Sequence, residues 1–221
     1  MVHNVRHMKE LYDAFLDLCR KINDDAIVVF NDTLTYILTF LSIDKNTGVE
    51  WNHSAKDNEA FSGFFSTYLY VFQEKVKISS WYDAWGDLFM ELAGKFKSFR
   101  GQFFTPDGVC DLCSRISIQQ PNGRPTINDC ACGSGRMLLS ANGTAYDRGC
   151  IQPYLIGEDI DGMCCKMTAI NMAMHGCRGE VIKHDSLGHP DELSYGYIIN
   201  ERLVPSIQIS RNKADFIKFR I

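Results

Sequence analysis

The stretch Thr126-Ile127-Asn128-Asp129-Cys130-Ala131-Cys132-Gly133-Ser134-Gly135-Arg136-Met137-Leu138-Leu139 decides the fold. It opens on a short β-branched run, passes through small residues and two glycines, and ends in straight-chain apolar side chains. That order predicts a strand, a tight turn and a helix. Glycines at a strand-to-helix turn let a ligand approach the backbone closely. No Gly-Lys-Ser/Thr follows, so the turn is not a P-loop, and the third glycine of a dinucleotide fingerprint is missing.

Toward the C-terminus, Tyr154-Leu155-Ile156, Val181-Ile182 and Tyr197-Ile198-Ile199 read as further strands, with a helix from about Gly162 to His175. Such alternation predicts βαβ units and a parallel sheet. Two of these strands end on acids, in Gly157-Glu158-Asp159-Ile160-Asp161 and in His184-Asp185-Ser186. A carboxylate at the end of the second strand can accept both hydroxyls of a ribose. The carboxylate of Asp185 suits the amino group of an adenine. A single strand-end acid is commonly a solvated charge or a helix cap, but acids in register with a glycine turn point together at a nucleoside.

Toward the N-terminus the period changes. Val5, Met8, Tyr12, Phe15, Cys19 and Ile22 form the stripe of an amphipathic helix, and Asp24-Asp25 can cap a second one carrying Ile27, Phe30, Leu34, Ile37 and Leu41. Thr47-Gly48 and the polar run to Asp57 read as a loop. A third stripe, Phe61, Phe64, Tyr68, Val71 and Phe72, precedes a Ser80-Trp81-Tyr82-Asp83 capping pattern opening a fourth helix with Trp85, Leu88, Phe89 and Leu92 inward. These aromatics read as core. The expected organisation is a helical N-terminal domain over residues 1–100 and an α/β domain over 101–221.

Composition sets the outer bounds. The chain of 221 residues is 45% hydrophobic and 23% charged, which excludes disordered and fibrous classes. No apolar run is long enough to span a bilayer, the start lacks a signal-peptide core, and 9 cysteines, an odd number, argue for a reducing compartment. A cytoplasmic location is the expectation. Net charge is −4, with 7 basic against 11 acidic side chains over residues 101–200. Only Lys95, Lys97 and Arg100, and the tail residues Arg202, Arg211, Lys213, Lys218 and Arg220, form basic clusters. Any contact with nucleic acid is therefore expected to be weak or shared with another subunit.

Upstream of the glycine turn stands Gly101-Gln102-Phe103-Phe104-Thr105-Pro106. With the turn and the two acidic strand ends, this segment resembles the N6-adenine DNA methyltransferases, above all the modification subunits of type I restriction–modification systems. The resemblance runs from Gly101 to Leu187. It implies a Rossmann-like domain with S-adenosylmethionine as cofactor, and DNA and specificity or restriction subunits, or further copies of the chain, as partners. Position by position, it implies that Phe104, Thr105 and Pro106 hold the methionine end, and that Asp129, Ala131, Cys132, Gly133 and Gly135 line the amino-acid moiety. Asp159, with Glu158 as the alternative, is placed at the ribose, and Asp185 with Ser186 at the adenine.

The family's catalytic Asn/Asp-Pro-Pro-Tyr/Phe motif is matched only by Asn200, 15 residues after Asp185, since Glu201-Arg202-Leu203 follow it. Asn200 is the expected catalytic residue. Only 21 residues lie beyond it, so the sheet is expected to be incomplete, with Phe216-Ile217-Lys218-Phe219 as a candidate last strand and an exposed edge. A non-catalytic, cofactor-binding or interaction subunit is the alternative, and a methyltransferase with another acceptor a third reading. Zinc at Cys110-x-x-Cys113 with Cys130-x-Cys132 is disfavoured, because one pair falls in a helix and the other in the turn. No metal is expected. Cys164, Cys165 and Cys177 read as packing thiols, and His175 and His184 as lone structural histidines.

Overall fold

The computed structural model describes residues 2–43, 53–99, 101–119, 124–188 and 193–220. Four helices come first: α1 (Val2–Ile22), α2 (Ala26–Leu41), α3 (Ala55–Val76) and α4 (Ala84–Ala93). They follow the periodic stripes. Phe15, Phe30, Phe61, Tyr68, Trp85 and Leu88 are wholly buried, and Asp25 caps α2 by accepting from the amide of Ile27. At α4 the cap is Asp83, which accepts from the amide of Gly86, and not Ser80. Thr47, Gly48 and Arg100 lie outside the described residues.

The second half holds α5 (Asp107–Ser117), β1 (Thr126–Asp129), α6 (Arg136–Asp147), β2 (Tyr154–Asp159), α7 (Gly162–Met174), β3 (Arg178–Lys183), β4 (Tyr195–Ile199) and β5 (Ile207–Ser210). The sheet order is β1-β2-β3-β4-β5. The three strands joined through α6 and α7 are parallel. β4 and β5 are antiparallel, contrary to the all-parallel expectation. The connection explains it: only residues 184–194 separate β3 from β4, and a parallel return needs a crossover of a dozen residues or more. Phe216–Phe219 is not a strand either; Ile217–Arg220 is a 3-10 turn, and Ile207–Ser210 supplies the last strand.

α7 ties the halves together. It packs on β2, β3 and β4 and also meets α2 and α4, so it is buried on nearly every side. A helix apolar all round belongs in that position. One continuous core runs from Leu11 and Phe30 through Trp85 to Leu138, Met167, Val181 and Tyr197. Alternation along the strands gives a second face, where Ile182 and Ile198 pack against Phe216. There the buried carboxylate of Glu180 accepts from the amides of Ile217 and Lys218 at 2.8 and 2.6 Å. No helix among the described residues is long and apolar enough to cross a membrane.

Candidate cofactor site

The glycine turn leaves β1 at Asp129 and enters α6 at Arg136. Gly133 and Gly135 have φ of +56° and +87°, left-handed values that a side chain strains to adopt. Space demands glycine as well: a Cβ at Gly133 would stand 3.0 Å from the ring of Phe104, and one at Gly135 2.9 Å from Thr168. The turn is held peptide by peptide. The amide of Cys132 donates to the carbonyl of Glu158 at 2.9 Å, and that of Gly133 to Asp159 Oδ2 at 2.9 Å. Thr168 Oγ1 donates to the carbonyl of Gly133, and Asn171 Nδ2 to that of Ser134, both at 2.8 Å.

Beside the turn lies a cavity of about 320 Å³. Phe104, Thr105, Asp129, Ala131, Cys132, Gly133 and Asp159 line it, so seven of the expected cofactor residues share one wall or the other. Gly135 sits behind them as the N-cap of α6, and Pro106 as the N-cap of α5. Asp159 is tied down through both oxygens, accepting also from the amide of Asp161 at 2.9 Å. An ionised carboxylate has about four acceptor positions, so room remains on each oxygen for a ligand hydroxyl. Burial pushes the Asp129 carboxyl above its usual range, with Asp159 and Glu158 adding like charge, while the Ala131 amide opposes the shift. Burial also raises the Cys132 thiol, which stays protonated.

Three expected residues are placed elsewhere. Glu158 points to the opposite face of β2, where it accepts from Lys218 Nζ at 2.7 Å and bonds His184 Nε2. The strand period sends neighbours to opposite faces, so Glu158 is no substitute for Asp159 in the pocket. Asn200 lies at the far end of the sheet. Because β4 runs antiparallel, Ile199 pairs with Gly179 near the start of β3, roughly 13 Å along the strands from the level of Asp159. Its side chain is buried and donates to the carbonyls of Ala173 and Cys177 at 3.1 and 2.8 Å, while its Oδ1 accepts from Ser206. Asn200 thus closes the C-terminal end of α7. Asp185 is exposed and caps its own turn by accepting from Leu187 at 3.0 Å.

Ser186 does reach the turn, donating to the carbonyl of Cys130 at 2.8 Å. Sequence reasoning missed Gln102, Phe103, Ser134, Arg136 and Met137 in the pocket wall. Gln102 lies within the quoted Gly101–Pro106 segment and donates to Asp161 at 2.5 Å. Arg136, an isolated charge opening an apolar helix, was the visible signal for the rest. Of the tail cations, Lys218 is engaged by Glu158 and Lys213 lies over the ring of Phe219.

Comparisons with known proteins bear on the family and the fold. The methylase subunit of the type I restriction enzyme MpnII of Mycoplasma pneumoniae is 28% identical over 102 residues, 46% of this chain and 19% of that protein. The MjaIX methylase subunit of Methanocaldococcus jannaschii is 27% identical over 126 residues, 53% of this chain and 22% of that protein. The chain thus spans about a fifth of the length of the curated relatives it matches. A solved structure from Listeria monocytogenes, described as a class I S-adenosylmethionine-dependent methyltransferase, superposes with a TM-score of 0.51 at 12% identity, covering 83% of this chain and 55% of that one. That likeness establishes the fold. The family model described as N-6 DNA Methylase matches residues 80–203, from just before α4 to just past β4, and the chain belongs to that family.

Proposed function

We propose that this chain is the cofactor-binding part of an S-adenosylmethionine-dependent N6-adenine DNA methyltransferase of the type I methylase-subunit kind. The observation that carries the reading is Asp159 held by the Gly133 amide at the mouth of a pocket walled by Phe104 and Thr105. The donor set fits the cofactor: two carboxylates for an ammonium and a ribose diol, glycines that leave the backbone open, and an aromatic wall. Asp129 lies beside the turn for the ammonium, Asp159 accepts the ribose hydroxyls, and the ring of Phe104 shields the pocket. When bound, S-adenosylmethionine supplies a methyl group activated on a sulfonium. In this reading the residues described hold and orient that group, and Asn200, committed to α7, does not hold the acceptor base.

Relatives named as subunits of restriction enzymes make specificity and restriction subunits the proposed partners, and DNA the proposed substrate. The net charge of −4 accords with DNA contact shared among subunits. Titration calorimetry with S-adenosylmethionine tests the reading. Saturable binding that Asp159→Ala weakens at least tenfold supports it. Absence of binding at hundreds of micromolar, or an Asp159→Ala variant equal to wild type, overturns it. Transfer of labelled methyl to adenine in DNA, with partner subunits supplied, separates the enzyme from a binding subunit.

A further inference from the structure

The glycine turn is fixed from a direction that no part of the methyltransferase motif set supplies. Asp83, the N-cap of α4, is only 2% exposed and its carboxylate accepts four hydrogen bonds. Oδ1 takes the amide of Gly86 and Asn171 Nδ2, each at 2.7 Å. Oδ2 takes Ser134 Oγ at 2.5 Å and Arg136 Nε at 2.7 Å. One carboxylate thus caps a helix of the N-terminal bundle and grips the turn at two residues.

Arg136 extends the grip to the other wall. Its Nη2 donates to Asp87 at 2.8 Å and its Nη1 to the carbonyl of Thr105 at 3.3 Å, with Asp107 at 3.4 Å. The two walls of the pocket, Phe103–Thr105 and Asp129–Arg136, are therefore tied to each other and to α4 through one guanidinium. Its planar fork is what makes three such directions available at once. Space is closed as well: a Cβ on Gly86 would stand 1.9 Å from Asp83 Oδ2 and 2.5 Å from Ser134 Oγ.

We propose that Asp83 and Arg136 are positioning residues for cofactor binding: the start of α4 sets the geometry of the glycine turn, so affinity depends on a carboxylate that does not line the pocket. The inference rests on the reading of this pocket as an S-adenosylmethionine site. Its consequence is that the N-terminal helices are part of the binding device. An isosteric Asp83→Asn turns one acceptor oxygen into a donor facing Ser134 Oγ and Arg136 Nε, whereas Ser134→Ala deletes a single bond to the turn and leaves the buried ion pair intact.

Calorimetric titration with S-adenosylmethionine, paired with melting temperatures, tests the proposal on wild type, Asp83→Asn, Ser134→Ala, the double variant Asp83→Asn/Arg136→Gln, and Val71→Ala. Val71 is wholly buried in α3 and does not line the pocket, and its truncation measures what instability alone does to binding. The expected result is a loss of affinity on the order of tenfold for Asp83→Asn and a smaller one for Ser134→Ala, all measured well below the melting temperature. Val71→Ala should bind as wild type at equal or greater loss of melting temperature. The double variant, which lets two amides pair where the ions stood, should recover part of the affinity. If Asp83→Asn does not fold, Asp87→Asn, which weakens the hold on Arg136 Nη2 from outside the pocket lining, takes its place. Wild-type affinity in the turn variants, or losses that follow melting temperature as in Val71→Ala, overturn the positioning role. A wild-type protein that binds no S-adenosylmethionine overturns the function reading beneath it.

Discussion

Gly135 shows how tightly one residue determines the site. Its φ of +87° costs a side chain roughly 1–2 kcal/mol, and a Cβ there would meet Thr168 at 2.9 Å, inside any ordinary contact. Thr168 cannot yield freely, since its hydroxyl donates to the carbonyl of Gly133 at 2.8 Å. Gly135→Ala is therefore expected to destabilise the protein by about 2–3 kcal/mol in urea unfolding. It should also weaken S-adenosylmethionine binding, because the same push displaces Gly133. A variant with wild-type unfolding would show that Thr168 gives way without cost. Thr168→Ser, which keeps the hydroxyl and drops the obstructing methyl, should restore part of the loss. The residues that decide this site were only partly legible. Gly133, Gly135 and Asp159 announce themselves because each occupies a local pattern. Asp83 and Arg136 stand 53 positions apart, and no periodicity connects them.

At the scale of elements, α7 and the C-terminal turn carry two further expectations. His175, just beyond α7, accepts the Tyr82 amide on Nε2 at 3.0 Å and faces the Asn171 carbonyl with Nδ1 at 2.8 Å, which makes it neutral with its proton on Nδ1. Burial lowers its pKa below 6.5, opposed by the Asn171 carbonyl and the charge of Asp83. The neutral form is thus favoured in the fold, so this contribution is fully present above the unfolded pKa of about 6.5 and is lost as pH falls toward the depressed folded value. Between pH 7.5 and 5.5 the wild type should lose more melting temperature than His175→Gln, which can still accept from Tyr82 but does not titrate. Equal losses would show that His175 is already solvated.

Glu180 holds the C-terminal turn on the opposite face and also accepts from Tyr154 at 2.8 Å. Glu180→Ala leaves two amides and a hydroxyl without their acceptor, an expected cost of about 3 kcal/mol or more in chemical unfolding. A loss under 1 kcal/mol would mean that water replaces the carboxylate. The helices were legible here because their stripes repeat every three or four residues. The direction of β4 was not: Tyr195–Ile199 has the same pattern whichever way it runs, and only the short link from Lys183 decides. Asn200 inherited its expected role from sequence position, and the reversed strand carried it to α7.

The whole molecule is organised around a core that does not pause at residue 100. Phe30 and Trp85 on the helical side belong to the same buried cluster as Leu138, Met167 and Val181 on the sheet side. The contacts across the divide are polar as well as apolar: Lys166 of α7 donates to Asn31 and Thr35 of α2, both at 2.8 Å, and Asp83 grips Arg136. Separating the halves would expose apolar faces of α2, α4 and α7. It would also undo the Asp83–Arg136 pair and the hydrogen bonds of Lys166 to α2, returning those charges to water. Neither half is expected to keep its stability without the other, so thermal unfolding should be one cooperative transition. For 221 residues the enthalpy near 60 °C should be about 150 kcal/mol. Scanning calorimetry checks this through the ratio of van't Hoff to calorimetric enthalpy, expected near one. Two units melting separately at similar temperatures would give a ratio of about one half, since each van't Hoff enthalpy reports only its own unit. In that case Asp83→Asn would lower one component alone, whereas in a single cooperative unit it moves the whole transition.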